Sequence, residues 1–268
     1  MRVQTEYRMK DGNRIPSVGL GTWSLKGAEC RRVVKMALKL GYRHIDTAEM
    51  YGNEADIGAA MKDFDRSKIF VTSKVRGENL RYDDVIEACN RSLDALGTGY
   101  LDLYLIHWPV EEVPLEETLK AFRKLLDEGK IKSAGVSNFD KNLLETALKM
   151  ADFPITVNQV EFHPYKYRKN LLDFCKDSDV VVTAYSPLGV GKLLQDKVIN
   201  EVAARYNMTA AQVCLRWSLQ KGVVVIPKAS SEAHLKENLD IFSWSLSEQD
   251  MKKLDSLTKS KNTRKRRK

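Results

Sequence analysis

Four residues of types that hold and move protons lie within about sixty positions of one another: Asp46, Tyr51, Lys74 and His107. A tyrosine is a reluctant acid at neutral pH, because its phenol ordinarily titrates at about 10. A nearby ammonium, here that of Lys74, favours the phenolate and lowers that value. A carboxylate such as Asp46 can hold the lysine in place and keep it charged. An imidazole such as His107 can hydrogen-bond an oxygen on which negative charge develops. Together the four types make a proton-delivery device, and their positions suggest that they meet. Asp46 ends YRHID, Lys74 ends IFVTSK and His107 ends LDLYLIH, each an apolar, strand-like run, while Tyr51 follows Asp46 within DTAEMYG.

The elements that must position them form a repeat. Strand-like runs fall near 17–21, 43–47, 69–75, 101–107, 133–138, 156–161, 180–186 and 223–226. Helical patterns lie between them. Val85, Cys89, Leu93 and Leu96 follow the spacing of one helix face, as do Leu115, Leu119, Phe122 and Leu126. Thr209 and Gln212 form a capping box, Ser247 and Asp250 open a final helix, and two helical segments, about 196–206 and 209–221, precede the eighth strand. Ahead of the repeat, TEYRM and RIP flank Lys10-Asp11-Gly12-Asn13, a β-hairpin signal. Eight βα units in this length predict an α/β fold, a (β/α)8 TIM barrel with an N-terminal β-hairpin and two extra helices, and chemistry gathers at the carboxyl ends of such strands. A doubly wound sheet is the alternative, but it usually has fewer strands. GLGTW carries Gly19 and Gly21 without a third glycine or an acidic partner, which disfavours a Rossmann site.

Bulk composition narrows the class further. The net charge is +8, yet seven of those charges fall in KSKNTRKRRK, the last ten residues. The rest is near neutral, so nucleic acid is disfavoured as a partner except through that tail. The expected organisation is one domain over 1–258 and a solvated, disordered basic tail over 259–268. Cys30, Cys89, Cys175 and Cys214 are dispersed and form no CxxC pair, and the four histidines are equally scattered. They read as buried apolar residues in a reducing compartment, with no metal site. No apolar run is long enough to span a membrane, and MRVQTEYRMKDGNR lacks a signal-peptide core. A cytoplasmic location is the expectation.

The motifs GLGTW, DTAEMYGNE, VTSK, LIHWP, GVSNF, NQVEFHP, YSPLG and IPKASSEAHLKEN occur in this order, each at or beside a strand end. Over nearly its whole length the chain resembles the aldo-keto reductases, with a shortness similar to prokaryotic members of the 2,5-diketo-D-gluconate reductase type. The resemblance implies reduction of aldehydes or ketones to alcohols by hydride from NADPH. Hydride transfer to a carbonyl creates an alkoxide that needs a proton, and the four residues suit that need. The implied roles are Tyr51 as general acid/base, Lys74 and Asp46 as its tuning pair, and His107 as the group orienting the carbonyl.

For the cofactor, the resemblance implies Thr22 and Trp23 at its border with substrate, and Ser137, Asn138 and Gln159 on the carboxamide. Asp46 also falls at that border. Tyr185 resembles the aromatic that stacks on the nicotinamide, Ser186 and Leu188 the pyrophosphate cradle, and Glu237 and Asn238 the adenine contacts. Lys228, Ser230 and Ser231 suit a 2′-phosphate. His234 stands where the family commonly has arginine, and an imidazole is a poorer phosphate clamp. NADPH is therefore expected, with NADH possible. The loops PVEEV and GVGKLLQD are short, leaving Trp23, Met50, Tyr51, His107 and Trp108 as walls for small carbonyls, α-dicarbonyls or keto-sugars. His44 and His163 read as structural. The expected form is a monomer. The competing reading is a nucleotide-sensing binding protein with little turnover.

Overall fold

A computed structural model describes residues 5–258, so residues 1–4 and the expected basic tail, 259–268, lie outside the described residues. Strands β1 (Glu6–Arg8) and β2 (Arg14–Pro16) pair antiparallel as the N-terminal hairpin. Its turn closes through Met9 N–H on the Asn13 carbonyl at 2.8 Å, with Gly12 at φ 92. Eight parallel strands follow: β3 (Leu20–Gly21), β4 (His44–Asp46), β5 (Phe70–Val75), β6 (Leu103–Ile106), β7 (Ala134–Ser137), β8 (Ile155–Glu161), β9 (Val181–Tyr185) and β10 (Val224–Val225). Each lies inside or against its expected run.

The helices are α1 (Gly27–Lys39), α2 (Glu54–Met61), α3 (Tyr82–Leu96), α4 (Leu115–Asp127), α5 (Lys141–Met150), α6 (Lys169–Asp177), α7 (Lys197–Arg205), α8 (Ala210–Gln220), α9 (Glu232–Leu239) and α10 (Glu248–Asp255). Two exceed the one-per-strand repeat: α7, which with α8 separates β9 from β10, and α10. The capping box at Thr209 is formed by both of its hydrogen bonds, and Ser247 accepts from Asp250 N–H at 3.1 Å to open α10.

The sheet closes into a barrel. Val18 bridges Val225 in parallel, Gly19 N–H reaches the Val225 carbonyl at 2.9 Å, and Val225 N–H reaches the Ser17 carbonyl at 2.9 Å. The glycines of GLGTW are needed at this seam. A Cβ on Gly21 would stand 2.5 Å from the Ile226 carbonyl oxygen, and one on Gly19 would stand 2.7 Å from His44 Nδ1. Their role is close approach of backbones rather than a phosphate turn.

Two apolar clusters divide the strands by the period of two that a pleated strand imposes. Phe70, Leu103, Leu105, Val157, Val224 and Ile226 pack inside the barrel, where Met9 and Ile15 of the hairpin segment join them. Ile45, Val71, Val75, Tyr104, Ile106, Val136 and Val160 face outward against the helices. Continuing the inward alternation reaches Asp46 above His44, Lys74 above Thr72, His107 above Leu105, and Gln159 above Val157. The pattern that fills the core therefore also delivers the polar groups to its carboxyl-end mouth. All four cysteines are free and buried.

Gly21→Ala forces a methyl into a backbone carbonyl at the seam. The expected cost is about 1–3 kcal/mol of stability, measured by urea denaturation at pH 7; an unchanged midpoint would contradict the close approach.

Candidate active site

Lys74 is fully buried at the end of β5, and its three ammonium protons are all used. They go to Asp46 Oδ1 at 2.6 Å, the Thr47 carbonyl at 2.7 Å and the Tyr51 hydroxyl at 3.4 Å. The other Asp46 oxygen accepts from Gln159 Nε2 at 2.7 Å. Burial alone would lower the lysine's pKa, but Asp46 and Tyr51 outweigh it and the net direction is upward. The ammonium is therefore held charged in a site that would otherwise neutralise it.

Tyr51 lies in a single helical turn, Glu49–Tyr51, that ends at Gly52 with φ 61. The segment is pinned by Asn53, whose amide donates to the carbonyls of Thr22 at 3.0 Å and Leu25 at 2.9 Å and accepts from the Thr47 hydroxyl at 2.7 Å. Glu49 holds it from the other side, accepting from Asn79 Nδ2 at 2.7 Å and Arg76 N–H at 3.2 Å. Glu54 hydrogen-bonds Ser73 at 2.6 Å and Ser92 at 3.1 Å beneath it. Sequence reasoning assigned no part to Asn53, Glu49 or Glu54. Their signal was their place inside the motif that carries Tyr51.

The phenol corrects one expectation. Its pKa is raised, first by burial and further by Asp46, while Lys74 pulls it down only in part. The ammonium's contribution has the expected sign, but at 3.4 Å the contact is long for a hydrogen bond. Tyr51 thus holds its proton at neutral pH. His107 packs edge-on against it with ring centroids 5.7 Å apart. Burial, with a smaller push from Lys74, drives the imidazole down to about 3. It is neutral across the physiological range, with one N–H to donate.

A second polar chain runs from these groups. Asn138, at φ 64, donates to the His107 carbonyl at 3.0 Å and to Ser137 Oγ at 3.1 Å. Ser137 Oγ donates to the Gln159 carbonyl at 2.8 Å, and the Tyr185 hydroxyl donates to Asn138 Oδ1 at 2.9 Å. All of them border one groove of about 1130 Å³. Thr22, Trp23, Met50 and Trp108 line its mouth, where Trp23 is 61% exposed, Met50 54% and Trp108 48%. Ser186 and Leu188 line its middle, and Lys228, Ser230, His234, Glu237 and Asn238 its far end. The groove's volume and its amide, hydroxyl and cationic lining suit a nicotinamide dinucleotide.

Two expected residues stand apart from it. Lys74 lies beneath the surface that Tyr51 presents. Ser231 is not among the lining residues, and its hydroxyl accepts from His234 N–H at 3.2 Å as the N-cap of α9. The carboxylate of Glu237 is also engaged, by the hydroxyl of Thr209. The groove has walls that sequence reasoning missed: Ala203, Ala204, Ala210 and Ala211 of α7 and α8, with Pro187, Val190 and Leu194. The paired alanines on either side of one turn were the available signal, since small residues leave room along a helix. His163 lies outside the groove lining, with Nε2 3.1 Å from Glu161, and His44 sits inside the barrel, with Nε2 3.0 Å from Thr72 Oγ1. Among the described residues no group of three or more His, Cys, Asp or Glu could hold a metal ion, and no helix is long and apolar enough to cross a membrane.

A profile of the aldo/keto reductase family matches residues 17–259. The chain belongs to that family. Such proteins are oxidoreductases that typically use a nicotinamide cofactor. The chain is 44% identical over 260 residues to the glyoxal reductase of Bacillus subtilis, covering 96% of this chain and 94% of that one. Among solved structures it is similar to the aldose reductase of Schistosoma japonicum, with a TM-score of 0.91 and 37% identity over 94% of this chain and 92% of the other. It is also similar to a protein provisionally named 2,5-diketo-D-gluconic acid reductase B, with a TM-score of 0.92 and 38% identity over 95% and 92%.

Burial pushes His44 down to about 4, although Asp46 partly opposes the shift. The unfolded imidazole takes up its proton at about pH 6.5, so the unfolded state binds more protons between the two values and stability falls as pH drops. The expected share of His44 is about 2 kcal/mol between pH 7 and pH 5. Urea denaturation at both pH values checks it, with His44→Gln expected to show a pH dependence shallower by that amount.

Proposed function

We propose that the protein reduces small aldehydes and α-dicarbonyls to alcohols with NADPH, and that Tyr51 donates the proton. The observation that carries this is the buried Lys74–Asp46 pair, with Tyr51 above it and His107 beside it at the mouth of a dinucleotide-sized groove. The nicotinamide, when bound, supplies the hydride. The substrate oxygen would sit between the Tyr51 hydroxyl and the His107 imidazole, whose N–H orients the carbonyl. As negative charge grows on that oxygen, the Tyr51 O–H bond breaks and the proton passes to it. An alkoxide is a far stronger base than a phenolate, so the transfer runs downhill even with the phenol's pKa raised. The phenolate left behind is stabilised by the Lys74 ammonium and recovers its proton from solvent.

Support for the cofactor comes from the groove's chemistry. Asn138, Ser137 and Gln159 offer amide and hydroxyl groups for the carboxamide, and Tyr185 offers a ring for stacking. Lys228, Ser230 and His234 suit a 2′-phosphate, though the Ser231 hydroxyl also caps a helix and an imidazole is a poorer phosphate clamp than a guanidinium. NADPH is the preferred nucleotide and NADH remains usable. Support for the substrate class comes from the open, aromatic mouth at Trp23 and Trp108 and from the glyoxal reductase at 44% identity. The site is complete within one chain, which suits a monomer. The unpaired, buried cysteines suit the reducing conditions of the cytoplasm.

Purified protein is expected to oxidise NADPH with glyoxal or methylglyoxal, followed by nicotinamide absorbance. Tyr51→Phe should lower kcat/KM by about 10²–10⁴-fold with unchanged thermal unfolding. Retention of wild-type turnover in that variant would overturn the assignment of the proton donor.

A further inference from the structure

The wall at the far end of the groove is the segment joining β10 to α9, which carries Lys228, Ala229 and Ser230. Besides the backbone hydrogen bonds from Gly21 to Pro227 and from Ile226 to Ala184, three contacts that involve side chains hold it. Lys228 Nζ reaches Ser24 Oγ at 3.3 Å, across the seam where the first and last strands meet. Ser231 caps α9 through His234 N–H. The third comes from outside the groove: Arg32 of α1 donates Nη2–H to the Ser230 carbonyl at 3.1 Å.

Arg32, like Lys39 of the same helix, is in none of the ion pairs among the described residues, unlike two of its neighbours. On the same helix, Arg31 pairs with Asp56 at 2.5 Å and Lys35 with Asp63 at 2.8 Å. Arg32 has no carboxylate within ion-pair distance among the described residues. Glu232, the nearby acid on α9, pairs with Lys236 at 2.7 Å instead. A guanidinium carries five donors, and the contact with Ser230 uses one of them. A second hollow, of about 430 Å³, is lined by Arg32, Lys35, Lys39, Met36, Leu40 and Glu232. A permanent, uncompensated cation is thus fastened to the backbone of the loop that Lys228 and His234 flank.

We propose that Arg32 is a specificity-determining residue for the dinucleotide, fixing the Ser230 segment and adding a permanent positive charge behind it. This rests on the reading that the groove takes a 2′-phosphorylated nucleotide. Lys228 is a single flexible ammonium, and His234 is an imidazole without the planar fork of donors that a guanidinium offers a phosphate. Arg32 supplies a further positive charge and a backbone anchor for the loop. The unphosphorylated nucleotide gains nothing from either, so the residue acts on the ratio of the two affinities rather than on both.

The test is equilibrium binding of NADPH and of NADH, read by quenching of protein fluorescence, for wild type, Arg32→Met and Arg32→Lys at two salt concentrations. Arg32→Met is expected to weaken NADPH by about fivefold, the upper end for a solvent-exposed charge interaction, and to leave NADH within about twofold. Arg32→Lys should recover part of the loss, and the wild-type advantage for NADPH should shrink at high salt. Equal weakening of both nucleotides, or no change in either, overturns the proposal, with thermal unfolding confirming that each variant is folded. Wild-type protein that binds NADH at least as tightly as NADPH overturns the cofactor reading, and this proposal with it.

Discussion

The interaction on which the rest depends is the buried ion pair between Lys74 and Asp46. Two charges taken out of water recover their desolvation cost only when the geometry is close and the remaining hydrogen-bonding capacity is used. Both conditions hold here. The lysine spends all three protons, and the aspartate is held at both oxygens by Lys74 and Gln159. Leaving either partner unpaired would typically cost about 3–5 kcal/mol, so the pair constrains the strands that carry it. It ties β4 to β5 and, through Gln159, to β8 on the far side of the mouth.

That pair exists only because the barrel closes in register. Glycine at 19 and 21 lets the first strand approach β4 and the segment after β10, and the hairpin supplies Met9 and Ile15 to fill the amino end. Core filling and site building follow one alternation along the strands. Apolar side chains occupy the inward positions at the bottom, and chemistry-bearing ones occupy the same positions at the top. The seam also brings Ser24 and Arg32 against Lys228 and Ser230, so barrel closure shapes the far end of the groove as well as the mouth.

Much of this was legible in the chain. Each of the eight expected strands was found at its place, since buried strands read as apolar runs and their ends bear the motifs. The capping box at Thr209 and the hairpin turn at Gly12 are local hydrogen-bonding devices whose partners lie within a few residues, so sequence alone reveals them. The tetrad was legible for a related reason: each member sits at or just beyond a recognisable strand end, and in a barrel all such ends converge.

What the chain determined by itself was therefore periodicity, element order and the residue types at strand ends, all set by interactions over short sequence distances. Tertiary structure alone decided the balance of forces on Tyr51, where burial and Asp46 outweigh the ammonium. It decided that the Ser231 hydroxyl caps α9, and that alanines of α7 and α8 form a wall. It decided that Arg32, about two hundred positions away in sequence, holds Ser230. The physical reason is common to all four. Desolvation, competition for a hydrogen bond and close approach depend on distances between segments remote in the chain, and those distances exist only once the barrel has closed.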